Sequence, residues 1–329
     1  MIRQKLDIFC FGETMVEFYR HPDAEDFHTS FGGDTFTTAA MAARMGASSG
    51  YGTLLGEDIF TDFLFNRMSA TGVDLGGCKK VPGANGIYFI TVDAKGERSF
   101  QYYRSGSAAS RLASQDFTDA DLAASRLIYT SGITSALSGS SAALVTSMLT
   151  RARAKQRLTA YDLNFRARLW SADDCISHFR GLIDQVKILF LSEDDIPILT
   201  ASLGQGSAAG NHQISQASIA NLIQHCWSRG LAEVIVRLGP RCAWVGDKTS
   251  GQIFHQASLP VQAVDTTGAG DTFNGTYLAC RIKHQRSVQD SARWAAAAAA
   301  LQVTRSGSVA GLPTLKEVEE AYRLLQPHP

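Results

Sequence analysis

The sequence carries no surplus of charge. Its 31 Lys and Arg balance 31 Asp and Glu over 329 residues, and no basic run interleaves with aromatics, so a nucleic-acid surface is not expected. Paired cysteines are also lacking. Six cysteines (Cys10, Cys78, Cys175, Cys226, Cys242, Cys280) are scattered, with no CxxC pair and no Cys/His cluster at zinc spacing. Several lie in apolar runs such as Ile8-Phe9-Cys10-Phe11, where a thiol behaves as a small hydrophobe in a reducing compartment. No stretch approaches the ~20 apolar residues that span a bilayer. The N-terminal MIRQKLDIFCFGE is too briefly apolar for a secretory leader. These absences predict a cytoplasmic protein with no membrane partner.

What is present is ample core material, with 45% hydrophobic and 19% charged residues. Short apolar runs alternate with longer amphipathic ones, the pattern of a parallel sheet covered by helices. The expected buried strands are Asp7–Phe11, Leu127–Thr130, Thr159–Leu163, Lys187–Leu191 and Glu233–Leu238. Helices are expected over Phe60–Ala70, Ala142–Lys155, Asp173–Val186 and Ser215–Arg229. This is an α/β chain with one doubly wound sheet flanked by helices, whose ligands bind beyond the strands' carboxyl ends. Residues 13–32 and 79–104 instead alternate apolar and polar side chains, which marks half-exposed strands. They predict a small β-stranded lid on a single domain spanning 1–329. Within it, Gly86–Val92 and Glu97–Arg104 are expected to form a hairpin with Gly96 near its turn. Exposed lid strands seek partners, so a homo-oligomer, at least a dimer, is expected. Ala201–Ser218 reads as a surface loop, and Ala295–Ala300 as a closely packed helix.

The strongest chemical signal is Val264-Asp-Thr-Thr-Gly-Ala-Gly-Asp-Thr-Phe-Asn-Gly275. A glycine turn at a helix N-terminus makes an anion site, because unpaired N–H groups and the positive dipole end point outward. Asp271 opens the apolar-periodic helix, and by itself would also serve as an N-cap. No GxxxxGK[ST] occurs, and Phe273 stands where a third glycine of a dinucleotide fingerprint would fall.

The segment Asp265–Asp271, DTTGAGD, resembles the C-terminal signature of the ribokinase-like (PfkB) carbohydrate kinases. Gly32-Gly33-Asp34 resembles their N-terminal signature, with Thr37 where the family usually has asparagine. The resemblance spans essentially the whole chain. Three further segments are most similar to the 2-keto-3-deoxygluconate kinases of that family: Tyr102–Ser110, Ser131–Ser138 and Asp162–Trp170. The resemblance implies Asp271 as the base and Gly268, Ala269 and Gly270 as an anion hole. It places Gly33 and Arg166 at the sugar, with Arg166 on the acid group. Asn164 would lie near phosphates and metal, and Arg237 and Gly239 would contact nucleotide. Ser192 and Asp195 occupy the ends of the family's Asn-x-x-Glu pattern, so Ser192 would meet ATP and Asp195 would hold Mg²⁺ through water. Asp265 and Thr267 match positions that bind a monovalent cation such as K⁺ in many relatives. Cys242 replaces a common glycine.

Strand alternation puts Tyr102 and Arg104 on one face, and Tyr88 lies on the neighbouring strand. A phenol beside a guanidinium suits a substrate with hydroxyls and a carboxylate. The expected reaction is ATP- and Mg²⁺-dependent transfer to the 6-hydroxyl of 2-keto-3-deoxygluconate. A kinase for a neutral sugar such as fructose or ribose, and a non-catalytic sugar- or nucleotide-binding regulator, are the alternatives. A nicotinamide oxidoreductase is disfavoured, since Phe11-Gly-Glu-Thr-Met lacks the required glycines.

Overall fold

The computed structural model describes residues 5–20, 24–92, 98–206 and 215–325. In chain order the first elements are β1 (Leu6–Phe11), β2 (Met15–Arg20), β3 (His28–Gly32), α1 (Asp34–Arg44), β4 (Ser49–Gly56), α2 (Thr61–Ser69) and β5 (Asp74–Val81). There follow β6 (Ile87–Val92), β7 (Arg98–Tyr103), α3 (Asp119–Ala123), β8 (Ser125–Ser131), α4 (Gly132–Ala136), α5 (Gly139–Ala154) and β9 (Leu158–Asp162). Next come α6 (Ala172–Leu182), β10 (Ile188–Ser192), α7 (Ile196–Ser202), α8 (Gln216–Ser228), β11 (Glu233–Arg237), β12 (Cys242–Asp247) and β13 (Gln252–Ala257). The last are α9 (Ala269–Ile282), α10 (Val288–Gln302) and α11 (Leu315–Leu324).

Nine strands form one sheet in the order β13-β12-β11-β10-β9-β8-β1-β4-β5. From β11 to β5 every pairing is parallel, and β12 joins β11 antiparallel. All five expected strands lie in this parallel block. Their continuous apolar runs bury one cluster under each face, around Phe36, Tyr129 and Tyr277 on one side and Phe179, Leu189 and Val236 on the other. The expected α/β class is therefore the observed one.

Sequence reading passed over β4, β5, β12 and β13. The runs SGYGTLLG and DLGGCKKV carry glycines that interrupt apolar periodicity, although every residue of β4 is buried. A Cβ on Gly52 would strike the Phe117 ring, so close packing demands the very residue that hides the strand.

The smaller sheet has the order β3-β2-β6-β7. The expected lid stretch 79–104 is corrected at its start: residues 79–81 belong to β5 of the large sheet, because the strand that begins at Asp74 runs on through them to pair with β4. The β6–β7 hairpin is antiparallel, with Tyr88 opposite Tyr102. Its expected turn around Gly96 lies outside the described residues. Residues 207–214 of the expected loop 201–218 do too, and its ends belong to α7 and α8. Among the described residues no helix is long and apolar enough to cross a membrane.

Candidate active site

The carboxyl ends of β1, β8, β9, β10 and β11 open onto one rim, as a doubly wound sheet requires. The small sheet stands over that rim, and between them lies a cavity of about 1400 Å³. Single small-ligand pockets typically hold ~300–1,000 Å³, so this space accommodates two substrates.

At one end the cavity meets the start of α9. Gly268 is its N-cap, at φ 78°, a left-handed conformation that glycine adopts without strain. Asp271 is the third residue of α9 rather than its cap, which removes the capping explanation for its presence. Gly268, Ala269, Gly270 and Asp271 all line the cavity, at the positive end of a 14-residue helix. The Ala269 N–H donates to Thr266 O at 3.3 Å. Burial pushes the Asp271 carboxyl well above the usual range, and the nearby Asp34 and Asp162 carboxylates push it further. Arg237 and Arg166 oppose that rise. The result is a carboxylate of raised basicity at a helix N-terminus.

Asp34 begins α1, which packs against α9 so closely that a Cβ on Gly275 would strike the Thr38 carbonyl. Its Oδ2 accepts hydrogen bonds from Ser131 Oγ and, at 3.3 Å, from Asn164 Nδ2. Asn164 itself has φ 40°, a strained value of the kind that clusters at functional sites. Asp162 binds Arg237 through both oxygens, at 2.8 and 3.0 Å, and accepts from Asn274 Nδ2 at 2.8 Å. Arg237 also donates to Asn274 Oδ1, Gly270 O and Leu191 O. Those bonds occupy all of the arginine's donors. Arg237 also lines the cavity, while its guanidinium fastens the first turn of α9 to β9 and β10. Gly239 does line the cavity, at φ 59°.

Asp195 calls for a correction. It is fully buried, and its oxygens accept from Ser192 N–H, Ser192 Oγ and Phe165 N–H at 2.6, 2.6 and 2.8 Å. It braces two strand ends and does not reach the cavity, where Ser192 and Asp194 do. Asp265 behaves alike: its carboxylate accepts from Thr267 N–H and Gly307 N–H, joining two loops. Thr267 faces the cavity and Asp265 does not. Among the described residues no group of three or more His, Cys, Asp or Glu is arranged to hold a metal. The oxygen donors Asp194, Asn164 and Ser192 suit a hard cation that keeps its waters and is held mainly by phosphates.

At the other end lie Gly33, Tyr88, Tyr102, Arg104 and Arg166, all on the cavity wall. A Cβ on Gly33 would strike the Glu13 carbonyl, so the backbones meet there without room for a side chain. Tyr88 stacks on Tyr102 at 5.6 Å and donates to Glu17 Oε2 at 2.5 Å. Arg104 is not solitary: its Nη2 lies 2.5 Å from Glu13 Oε2, and Ser107 Oγ donates to Glu13 Oε1 at 2.9 Å. Burial pushes the Glu13 carboxyl up, while Arg104 and Ser107 pull it back. Arg168 donates to Phe100 O of β7 at 2.8 Å, linking the loop after β9 to the small sheet. Thr37 Oγ1 is buried without a hydrogen-bond partner on the wall.

Glu13, Asp34, Asp194 and Asn274 were not singled out from sequence. Asp34 had a visible signal, since it follows Gly32-Gly33 at a helix start. The others gain meaning only from neighbours remote in the chain. Sequence also missed the apolar wall from Val261, Ala296, Ala299, Ala300 and Val303. The alanine run is a packed helix, α10, and one edge of it faces the cavity.

A glycine-initiated helix carrying a half-buried carboxylate, under a small sheet, forms an anion site of the kind a phosphotransferase needs on an α/β scaffold. The pattern of the pfkB family carbohydrate kinases matches residues 5–315, and the chain belongs to that family. It is 30% identical over 298 residues to a 2-dehydro-3-deoxygluconokinase of Escherichia coli (strain K12), covering 87% of this chain and 91% of the relative. It is 28% identical over 327 residues to fructokinase-2 of Solanum lycopersicum, covering 94% of each. Among solved structures, a 2-dehydro-3-deoxygluconokinase from Thermotoga maritima superposes with a TM-score of 0.85 at 24% identity, over 98% of this chain and 99% of that one. A putative ribokinase II from E. coli in complex with ATP and Mg²⁺ gives 0.82 at 26% identity, over 97% and 99%.

Proposed function

We propose that this carbohydrate kinase transfers the γ-phosphoryl group of ATP to the primary 6-hydroxyl of 2-keto-3-deoxygluconate. The observation that carries the reading is that Asp271 lines the same cavity as the α9 turn and as Tyr102 and Arg166. Nucleotide lies along the apolar wall of α10, with its phosphates at Gly268–Gly270. Sugar lies under the small sheet, and its terminal hydroxyl points at Asp271.

Asp271 accepts the hydroxyl proton as the oxygen attacks phosphorus in line, and the α9 N-terminus stabilises charge on the equatorial oxygens. Mg²⁺, when bound, neutralises phosphate charge, and Asp194, Asn164 and Ser192 would hold its waters. A monovalent cation beside Thr267 is no part of this reading, because Asp265 already serves as a loop brace. The small sheet acts as a lid that excludes water, which favours transfer to sugar over hydrolysis. A silent binder has no need of a base, so the regulator alternative finds no support in the site.

A neutral-sugar kinase is the second reading. It is favoured by the Glu13–Arg104 pair, which already offsets the charge of one arginine expected to meet a carboxylate. Similarity to fructokinases points the same way. ADP release measured with 2-keto-3-deoxygluconate, 2-keto-3-deoxygalactonate, fructose, ribose and nucleosides separates the two. The acid should show the highest kcat/KM; a higher value for fructose overturns the acid assignment.

A further inference from the structure

The sugar end of the cavity holds two arginines in unlike electrical settings. Arg104 is close to buried, with 11% of its side chain exposed, and faces Glu13 with 1% exposed. Glu13 is confined at its other oxygen: Ser107 Oγ donates to Oε1 at 2.9 Å, and a Cβ on Gly86 would lie 2.8 Å from it, while Oε2 meets Arg104 as an ion pair without a well-aligned hydrogen bond. Burial pushes the Glu13 carboxyl up, and the Arg104 guanidinium 2.5 Å from its Oε2 opposes that push by ion pairing. Arg166 is exposed, donates to Phe165 O at 3.1 Å, and forms no ion pair among the described residues. The two arginines therefore offer a sugar different things.

We propose that Glu13 sets the charge of the sugar end: by pairing with Arg104 it makes the two a net-neutral unit whose guanidinium donates hydrogen bonds to hydroxyls, and it leaves Arg166 to read a substrate carboxylate. Glu13 is thus a positioning and specificity-determining residue, acting through Arg104. The inference rests on the reading of this cavity as the sugar-kinase site. It also explains why an arginine on the wall is by itself a poor indicator of an acid substrate. Removing Arg104 alone strands a buried carboxylate, and the damage then falls on any sugar.

The test is kcat/KM for 2-keto-3-deoxygluconate and for its analogue with the carboxylate reduced to an alcohol. Wild type, Glu13→Gln, Arg104→Met and the double variant are compared, each with a thermal melt. Glu13→Gln keeps the shape and uncovers the charge of Arg104, so the acid-to-alcohol ratio should rise about fivefold or more, within the range of couplings between contacting residues. Arg104→Met should weaken both substrates, and adding Glu13→Gln should restore turnover of the alcohol. Glu13→Asp, which retains the charge, should keep the wild-type ratio if Glu13→Gln melts too early to assay. An unchanged ratio in a well-folded Glu13→Gln, or a double variant no better than Arg104→Met, overturns the inference. If wild type accepts only the alcohol, the acid reading fails by itself, and the double variant on the alcohol still decides the role of Glu13.

Discussion

Asp271 concentrates the conflict between stability and catalysis at a single residue. Its folded-state acidity is weakened by burial and by Asp34 and Asp162, so the protonated form is favoured in the folded chain. The stability it contributes is full below the ordinary carboxylate range and is lost as pH rises through the raised folded value. Asp271→Asn removes a carboxylate that is costly at neutral pH while keeping its shape. We expect the variant to melt later, by about 1–2 kcal/mol of added stability, and to lose ~10²–10⁴-fold in kcat because it cannot accept a proton. The same shift predicts an acid limb of kcat/KM above the range of an ordinary aspartate, with activity falling as pH falls. Calorimetry with a pH–rate profile checks both, and near-normal turnover in Asp271→Asn removes the residue from the base role. Sequence made Asp271 legible because its glycine turn is local. Its raised basicity was not legible, since Asp34 and Asp162 reach it from helices and strands more than a hundred residues away.

At the scale of elements, the question is what holds α9 against the sheet. Arg237, at the end of β11, reaches Asp162 of β9, Asn274 and Gly270 of α9, and the Leu191 carbonyl of β10. Breaking one partner of a buried pair costs ~3–5 kcal/mol because the other charge is stranded. Arg237→Met should therefore lower the denaturant midpoint by an amount of that order, with KM for ATP rising only as α9 loosens. A large rise in that KM with an unchanged midpoint would support the nucleotide contact that the sequence suggested. Sequence marked Arg237 as noteworthy but did not show the scaffold partners it binds. A residue at a strand's carboxyl end points to the rim, but whether it meets ligand or its own scaffold depends on which strands lie beside it.

For the whole molecule, the decisive relation is between the small sheet and the rim. Two side chains test it differently. Tyr102, 39% exposed on the cavity wall, should matter to sugar alone, so Tyr102→Phe should raise KM for sugar several-fold and leave KM for ATP nearly unchanged. Arg168 ties β7 to the loop after β9, so Arg168→Met should raise KM for sugar and also increase ADP release without sugar, by admitting water. Equal effects on both substrates, or no change in sugar-free ADP release, would remove the small sheet from the lid role. The alternation of apolar runs and amphipathic helices was enough to predict the doubly wound sheet, because burial on two faces imposes that pattern on each strand separately. The glycine turn before Asp271 and the half-exposed hairpin were likewise readable in place, since each rests on the conformational needs of a few consecutive residues. What only the tertiary structure decided is how charges are paired. Glu13 meets Arg104, Asp162 meets Arg237 and Asp195 turns inward because strands distant in sequence end at one rim, where each buried charge must find a partner.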